Sequence, residues 1–316
     1  MSDFLSEFPE KIAQFGMIPN VDFSEQELKT EAESLLKNDL PIMLISNVKA
    51  GDLKSLYQLH EAYPELMLGI KGKFGDAQLQ QLYLYGISFI IFDDFDEQAC
   101  IRVCEQGILP IPSIENGVQA NQACFMGLKM AHIEVGKELE IQETINSWGK
   151  FMQIVMSGRK LNESLSSHLA RHEIAACVFS LDELRQEHED LSVCVQKKLM
   201  SFFKLHLAHV GINTDSHEES LNNANMLASL LHLGVREGKK SAFAGSMFEI
   251  MYSPFYYEHG HVALGCADAT RAYLYFKRRH IEFIEDTVSR DPDGNIIAAY
   301  FKQNFAGFGI HLLWEK

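Results

Sequence analysis

Basic residues are scarce in this 316-residue chain: 28 Lys and Arg against 43 Asp and Glu leave a formal net charge of −15. That balance repels phosphate backbones and anionic membrane surfaces, so neither nucleic acid nor membrane is expected as a partner. No run approaches the roughly 20 apolar residues needed to span a bilayer. The opening MSDFLSEFPEK carries acidic residues where a secretory signal has basic ones. The six cysteines, Cys100, Cys104, Cys124, Cys177, Cys194 and Cys266, form no CxxC pair. A chain of this length needs no disulfide staples, so a cytoplasmic protein is expected. Cys100 and Cys104, one helical turn apart, read as small core residues rather than a metal pair. No GxGxxG loop follows the first β-type run, which argues against the runner-up fold, a doubly wound open sheet.

What is present divides in two. Apolar residues make up 47% of the chain, enough for substantial cores, and the length suggests two domains at roughly 150 residues each. Over residues 1–181, short apolar runs alternate with amphipathic stretches: MIPNVDF (17–23), LPIMLIS (40–46), LMLGIKG (66–72), SFIIFD (88–93), ILPIPSI (108–114), AHIEV (131–135), MQIVMSG (152–158) and IAACVFS (174–180). Near-continuous apolar strands separated by helices predict a parallel sheet, and eight of them predict a (β/α)8 TIM-type barrel. Residues 182–204 read as a connecting helix, with the boundary near residue 200. Residues 205–316 write strand–helix–strands twice, which predicts an α+β domain of two βαβββ modules. DPDGN (291–295) marks a tight turn between strands of the second module.

Each opening and closing strand of the doubled module carries one metal-type ligand: His209, Glu249, His261 and His311. Imidazole and carboxylate suit a divalent ion such as zinc, manganese, nickel or iron. The separations form no short ligand motif, so the repeat alone relates the four. Scattered core or surface polar residues stay open as the alternative. Tyr252, Phe255, Tyr256 and Tyr257, clustered after Glu249, line either a pocket or an aromatic core.

On those strand positions, residues 205–316 resemble a vicinal-oxygen-chelate domain, the superfamily of glyoxalase I, extradiol dioxygenases and fosfomycin-resistance proteins. The resemblance implies a cup with ligands on the first and last strands of each module, hence His209, Glu249, His261 and His311. His311 departs from the glutamate commoner at the last place; Glu315, four residues after His311, and His259, two residues before His261, are rivals. It also implies a metal-dependent lyase, isomerase or dioxygenase type of reaction on two adjacent substrate oxygens.

Residues 10–181 resemble the class I aldolases for 2-keto-3-deoxy-6-phosphogluconate (KDPG) and 4-hydroxy-2-oxoglutarate (KHG), most clearly in YPELMLGIKGKFGDAQL (63–79), YGISFIIFDDFDE (85–97), ILPIPSIENGVQA (108–120) and MGLKMAHIEV (126–135). The resemblance places His132 where that family has its imine-forming lysine, and an imidazole has no primary amine. It likewise places Leu44 at the acid/base glutamate, Val48 at a substrate-anchoring arginine and Gly72 at a threonine. Ser157 and Gly158 stand at a phosphate-cradling glycine pair, and Val178 and Phe179 near the glycines of the last strand. Lys71 and Lys73 are the candidates for a replacement amine. Lys71, Asp93, Glu115 and Glu134, with His132, form a possible barrel pocket, against the plainer reading of a hydrogen-bonded core.

The expectation is therefore a metal-binding cup acting on a small oxo- or hydroxy-acid-type metabolite, carried on a barrel that has lost Schiff-base chemistry. A ligand-binding sensor without turnover, and an aldolase-family lyase with a rearranged site, stay open. A homo-oligomer, dimer or trimer, is expected by analogy.

Overall fold

The computed structural model describes residues 2–135, 141–149, 151–158, 168–169, 173–185 and 190–315. The chain divides into two compact units, Met1–Leu199 and Met200–Lys316.

In the first unit eight strands form one sheet: β1 (Met17–Asp22), β2 (Ile42–Ser46), β3 (Met67–Gly72), β4 (Ile87–Phe92), β5 (Leu109–Ile111), β6 (Met130–Glu134), β7 (Gln153–Ser157) and β8 (Ala176–Ser180). Their order is β5-β4-β3-β2-β1-β8-β7-β6, and every pairing is parallel. The strands fall on the expected runs because each is apolar on both faces, and helices such as Leu28–Lys37 and Leu53–Ala62 follow them. The last seam, β5 to β6, is closed by a parallel bridge between Ser113 and His132. His132 N–H donates to the Pro112 carbonyl and Ile114 N–H to the His132 carbonyl. Pro110 and Pro112 have no N–H to give, which limits that seam to a few bonds. The sheet is thus a nearly closed TIM-like barrel.

The segment expected to connect the units is helical at Leu181–Arg185 and Leu191–Phe203, and residues 186–189 lie outside the described residues. It packs on the barrel through Arg185, 2.7 Å from buried Glu31, and through Ser192, whose Oγ accepts from Asn38 Nδ2.

The second unit repeats one pattern. Strand β9 (His206–Ile212), helix His217–Leu231, and strands β10 (Val235–Glu237), β11 (Ser241–Ala244) and β12 (Phe248–Met251) form the first module. Strand β13 (Gly260–Cys266), helix Ala269–Arg278, and strands β14 (Ser289–Arg290), β15 (Ile296–Phe305) and β16 (Phe308–Trp314) form the second. Both helices start on a side-chain cap, Ser216 accepting from Glu219 N–H and Asp268 from Arg271 N–H. The Asp291 carboxylate accepts from the N–H groups of Asp293 and Asn295, and Gly294 takes φ +88°, making the expected turn between β14 and β15. The eight strands form one mixed sheet in the order β10-β11-β12-β9-β13-β16-β15-β14. Among the described residues no helix is long and apolar enough to cross a membrane.

Candidate functional site

The register of the second sheet dictates which side chains meet. β9 and β13 pair antiparallel, with His209 opposite Ala263 and Gly211 opposite His261. A two-fold axis between them exchanges residues 52 apart and so maps His209 onto His261. β12 runs parallel to β9 with Glu249 opposite Gly211, and β16 runs parallel to β13 with His311 opposite Ala263. The same axis therefore maps Glu249 onto His311. All four sit on the central strands and share one face.

Their functional atoms converge. Nε2 of His209 and Nε2 of His261 are 3.3 Å apart, and Oε2 of Glu249 is 3.2 Å from each. One nitrogen from each of His209, His261 and His311 lies within 4.8 Å of the others, the one such cluster of three or more His, Cys, Asp or Glu among the described residues. Small neighbours make room: a Cβ on Gly211 would overlap the His261 ring. Ser241 Oγ donates to the other Glu249 oxygen at 2.6 Å.

Protonation follows from these partners. Nδ1–H of His311 donates to the Leu312 carbonyl at 3.0 Å, so Nε2 carries the lone pair. That Nε2 is buried and has no hydrogen-bond partner among the described residues; the same holds for His261 Nδ1. Burial, then the neighbouring His261 and His209, pull the His311 pKa down to about 4. Burial pushes the Glu249 carboxyl upward, but hydrogen bonds from His209, His261 and Ser241 outweigh it and hold the group well below the usual carboxylate range. At neutral pH the cluster thus offers a neutral imidazole and a carboxylate, the charge states a metal needs. A tetrahedral ion with metal–nitrogen bonds of about 2.0–2.1 Å sets its ligand atoms about 3.3–3.4 Å apart. The separations among His209, His261 and Glu249 match that edge, and the orphaned buried lone pair of His311 is what such an ion would satisfy. The donor set fits a divalent ion.

The rivals stand elsewhere. Exposed His259 packs its ring on Phe308, and Glu315 accepts from His206 Nε2 at 2.6 Å. Of the four aromatics, Phe255 and Tyr256 pack around Tyr300, which stacks on His311 at 4.5 Å between ring centroids. Tyr252 packs against His217, and Tyr257 donates to the Phe301 carbonyl. Burial and then the Glu249 charge raise the Tyr300 hydroxyl pKa, keeping it protonated. Tyr300 and Ser241 were not anticipated; only the pairing of Tyr300 with His311 and of Phe243 with Glu249 in adjacent strands brings them near.

In the barrel, a cavity of about 50 Å³ is lined by Lys71, Asp93, Ser113, Ile114, Glu115, His132 and Glu134. It brings together all five residues suspected there, although their ligand atoms do not gather into a metal cluster. His132 is buried and Glu134, two residues on, is at the exposed rim. Lys73 points away, ion-paired to Asp94 at 2.7 Å. That hydrogen bond raises its pKa, the wrong direction for a nucleophilic amine. Leu44 is fully buried on β2, and Val48 follows that strand half-buried. Gly72 ends β3, Ser157 ends β7 before Gly158, and Val178 and Phe179 are buried on β8.

No family model matches the sequence, and no curated protein matches it. Solved structures do match. A 4-hydroxy-2-oxoglutarate/2-dehydro-3-deoxyphosphogluconate aldolase from TTHB1 is 15% identical over 64% of this chain and 98% of its own, with a TM-score of 0.50. The KDPG aldolase of Legionella pneumophila, solved with pyruvate captured as a covalent carbinolamine, is 14% identical over 61% of this chain and 97% of its own, with a TM-score of 0.51. The N-terminal part has the fold of these aldolases. At such identities the likeness carries the barrel and nothing of its chemistry.

Proposed function

We propose that the second unit is a glyoxalase-like, vicinal-oxygen-chelate domain that holds one divalent ion through His209, Glu249, His261 and His311 and receives a small oxo- or hydroxy-acid-type metabolite. The convergence of three imidazoles from symmetry-related strands, one with a buried lone pair without a partner, and of the Glu249 carboxylate 3.2 Å from two of them carries this reading. When bound, a divalent ion supplies Lewis-acid polarisation of substrate oxygens. The chain's own residues do the rest. His311 presents Nε2 because the Leu312 carbonyl takes its other proton. Ser241 fixes Glu249 so that one oxygen faces the histidines. Tyr300, held protonated beside them, offers a hydrogen-bond donor to a bound anion, and Phe255 and Tyr256 shield it from water.

In the same proposal the barrel forms no imine. His132 stands in place of an amine, and Lys73 is engaged by Asp94.

Oxalate, which presents two adjacent oxygens, is the direct probe. Calorimetric titration should show it binding the zinc-loaded protein and not the His261→Ala variant. Equal binding by both, or binding by neither, contradicts the reading.

A further inference from the structure

The two halves of the cup differ: one is roofed by aromatic rings, and the other leads from the metal-type cluster to a guanidinium. Directly paired residues of a sheet share a face, and Glu249 stands opposite Phe243, which stands opposite Arg236. The alternate residues Ala242 and Ile250 pack with Ala224 of helix His217–Leu231, so Phe243 and Arg236 lie on the side of the histidines. The Arg236 guanidinium sits 4.2 Å from the centre of the Phe243 ring. Among the described residues it makes no hydrogen bond or ion pair. Glu237 is turned to the other face, where it meets His217 at 3.5 Å, and Lys239 and Lys240 are exposed on the turn that follows. In a chain of net charge −15 this corner is locally basic. Over β15 and β16, by contrast, Phe255 and Tyr256 pack around Tyr300, and the Tyr257 ring fills the space over Gly309. Exposure of the cluster follows the same division: His209 and Glu249 keep 13% and 18% of their side chains exposed, His261 only 4%. A molecule that reaches the cluster therefore lies over β11 and β10.

We propose that Arg236 binds a second carboxylate of the substrate, and that the substrate is a 2-oxo- or 2-hydroxydicarboxylate rather than a monoacid. This rests on the metal-binding reading of the same site. One end of such a molecule offers two adjacent oxygens at the histidine cluster, its chain crosses Phe243, and its far carboxylate meets Arg236. Stacking on Phe243 fixes the guanidinium plane and leaves its N–H edge free, the geometry that pairs with a carboxylate through two parallel hydrogen bonds. Two strand spacings, about 10 Å in all, separate β12 from β10, which suits a chain of about five carbons. A monoacid of the same length leaves the guanidinium without its partner.

Calorimetric titration of the zinc-loaded full chain tests this with 2-oxoglutarate, with 2-oxopentanoate, which has the same chain without the second carboxylate, and with oxalate, which needs the ion alone. Wild type should bind 2-oxoglutarate about tenfold more tightly than 2-oxopentanoate. Arg236→Gln should erase that preference while binding 2-oxopentanoate and oxalate as wild type does. Arg236→Lys should keep part of the preference, because an ammonium retains the charge and loses the planar fork. Arg236 is exposed on an edge strand, so both variants should melt with wild type. Equal affinity of wild type for the two oxo acids, or a preference that survives in Arg236→Gln, overturns the role of Arg236 and leaves the metal site standing. Oxalate that fails to bind wild type overturns the metal-binding reading, and this proposal with it.

Discussion

Nε2 of His209 and Nε2 of His261 stand 3.3 Å apart on adjacent antiparallel strands, with Oε2 of Glu249 3.2 Å from each. Metal-dependent stabilisation should therefore depend on both rings. With free zinc a hundredfold above Kd, the folded protein gains about 2.7 kcal/mol. His261→Ala should abolish the zinc-dependent rise in melting temperature of chelator-treated protein. His259→Ala should keep it, because His259 packs on Phe308 away from the cluster. Differential scanning fluorimetry with and without zinc checks both.

Gly211 lies under the His261 ring, and a methyl there overlaps it. Gly211→Ala should displace the ring, cost about 1–3 kcal/mol in urea unfolding, and weaken zinc binding without removing any ligand. A variant as stable as wild type with unchanged zinc affinity would show that the ring has space elsewhere.

Acid should destabilise the metal-free cup. His311 titrates at about 4 when folded against 6.5 ordinarily, lowered by burial and by His261 and His209. Between these values the unfolded chain binds a proton that the folded chain does not. The stability from His311 is thus complete above pH 6.5 and lost as pH falls through 4, by at most about 3 kcal/mol. Glu31 acts oppositely: burial, against the pull of Arg185, raises its pKa to about 7, so its contribution is lost as pH rises through that value. Comparing wild type with His311→Gln cancels Glu31. Urea unfolding of the chelated proteins at pH 6.5 and 4.5 should show a smaller loss in the variant.

The barrel should form no imine. Pyruvate with borohydride should leave the intact mass unchanged, because His132 has no primary amine and Lys73 is paired with Asp94. A stable adduct on Lys71 would restore an aldolase reading.

The barrel was legible because a parallel strand covered on both faces must be apolar throughout, as in the buried runs of β2 and β4. The doubled module was legible because the sequence repeats its elements, and the repeat alone nominated His209, Glu249, His261 and His311. Ser241 and Tyr300 were not legible. Each acts through a cross-strand neighbour, and the β15–β16 pairing that brings Tyr300 to His311 has an irregular register.

Elemental analysis of untagged protein purified without added metal should find one equivalent of zinc, manganese, nickel or iron per chain, lost when His209, His261 and His311 are all changed to alanine. Metal-free wild-type protein whose melting temperature none of these ions shifts would contradict a resident divalent ion.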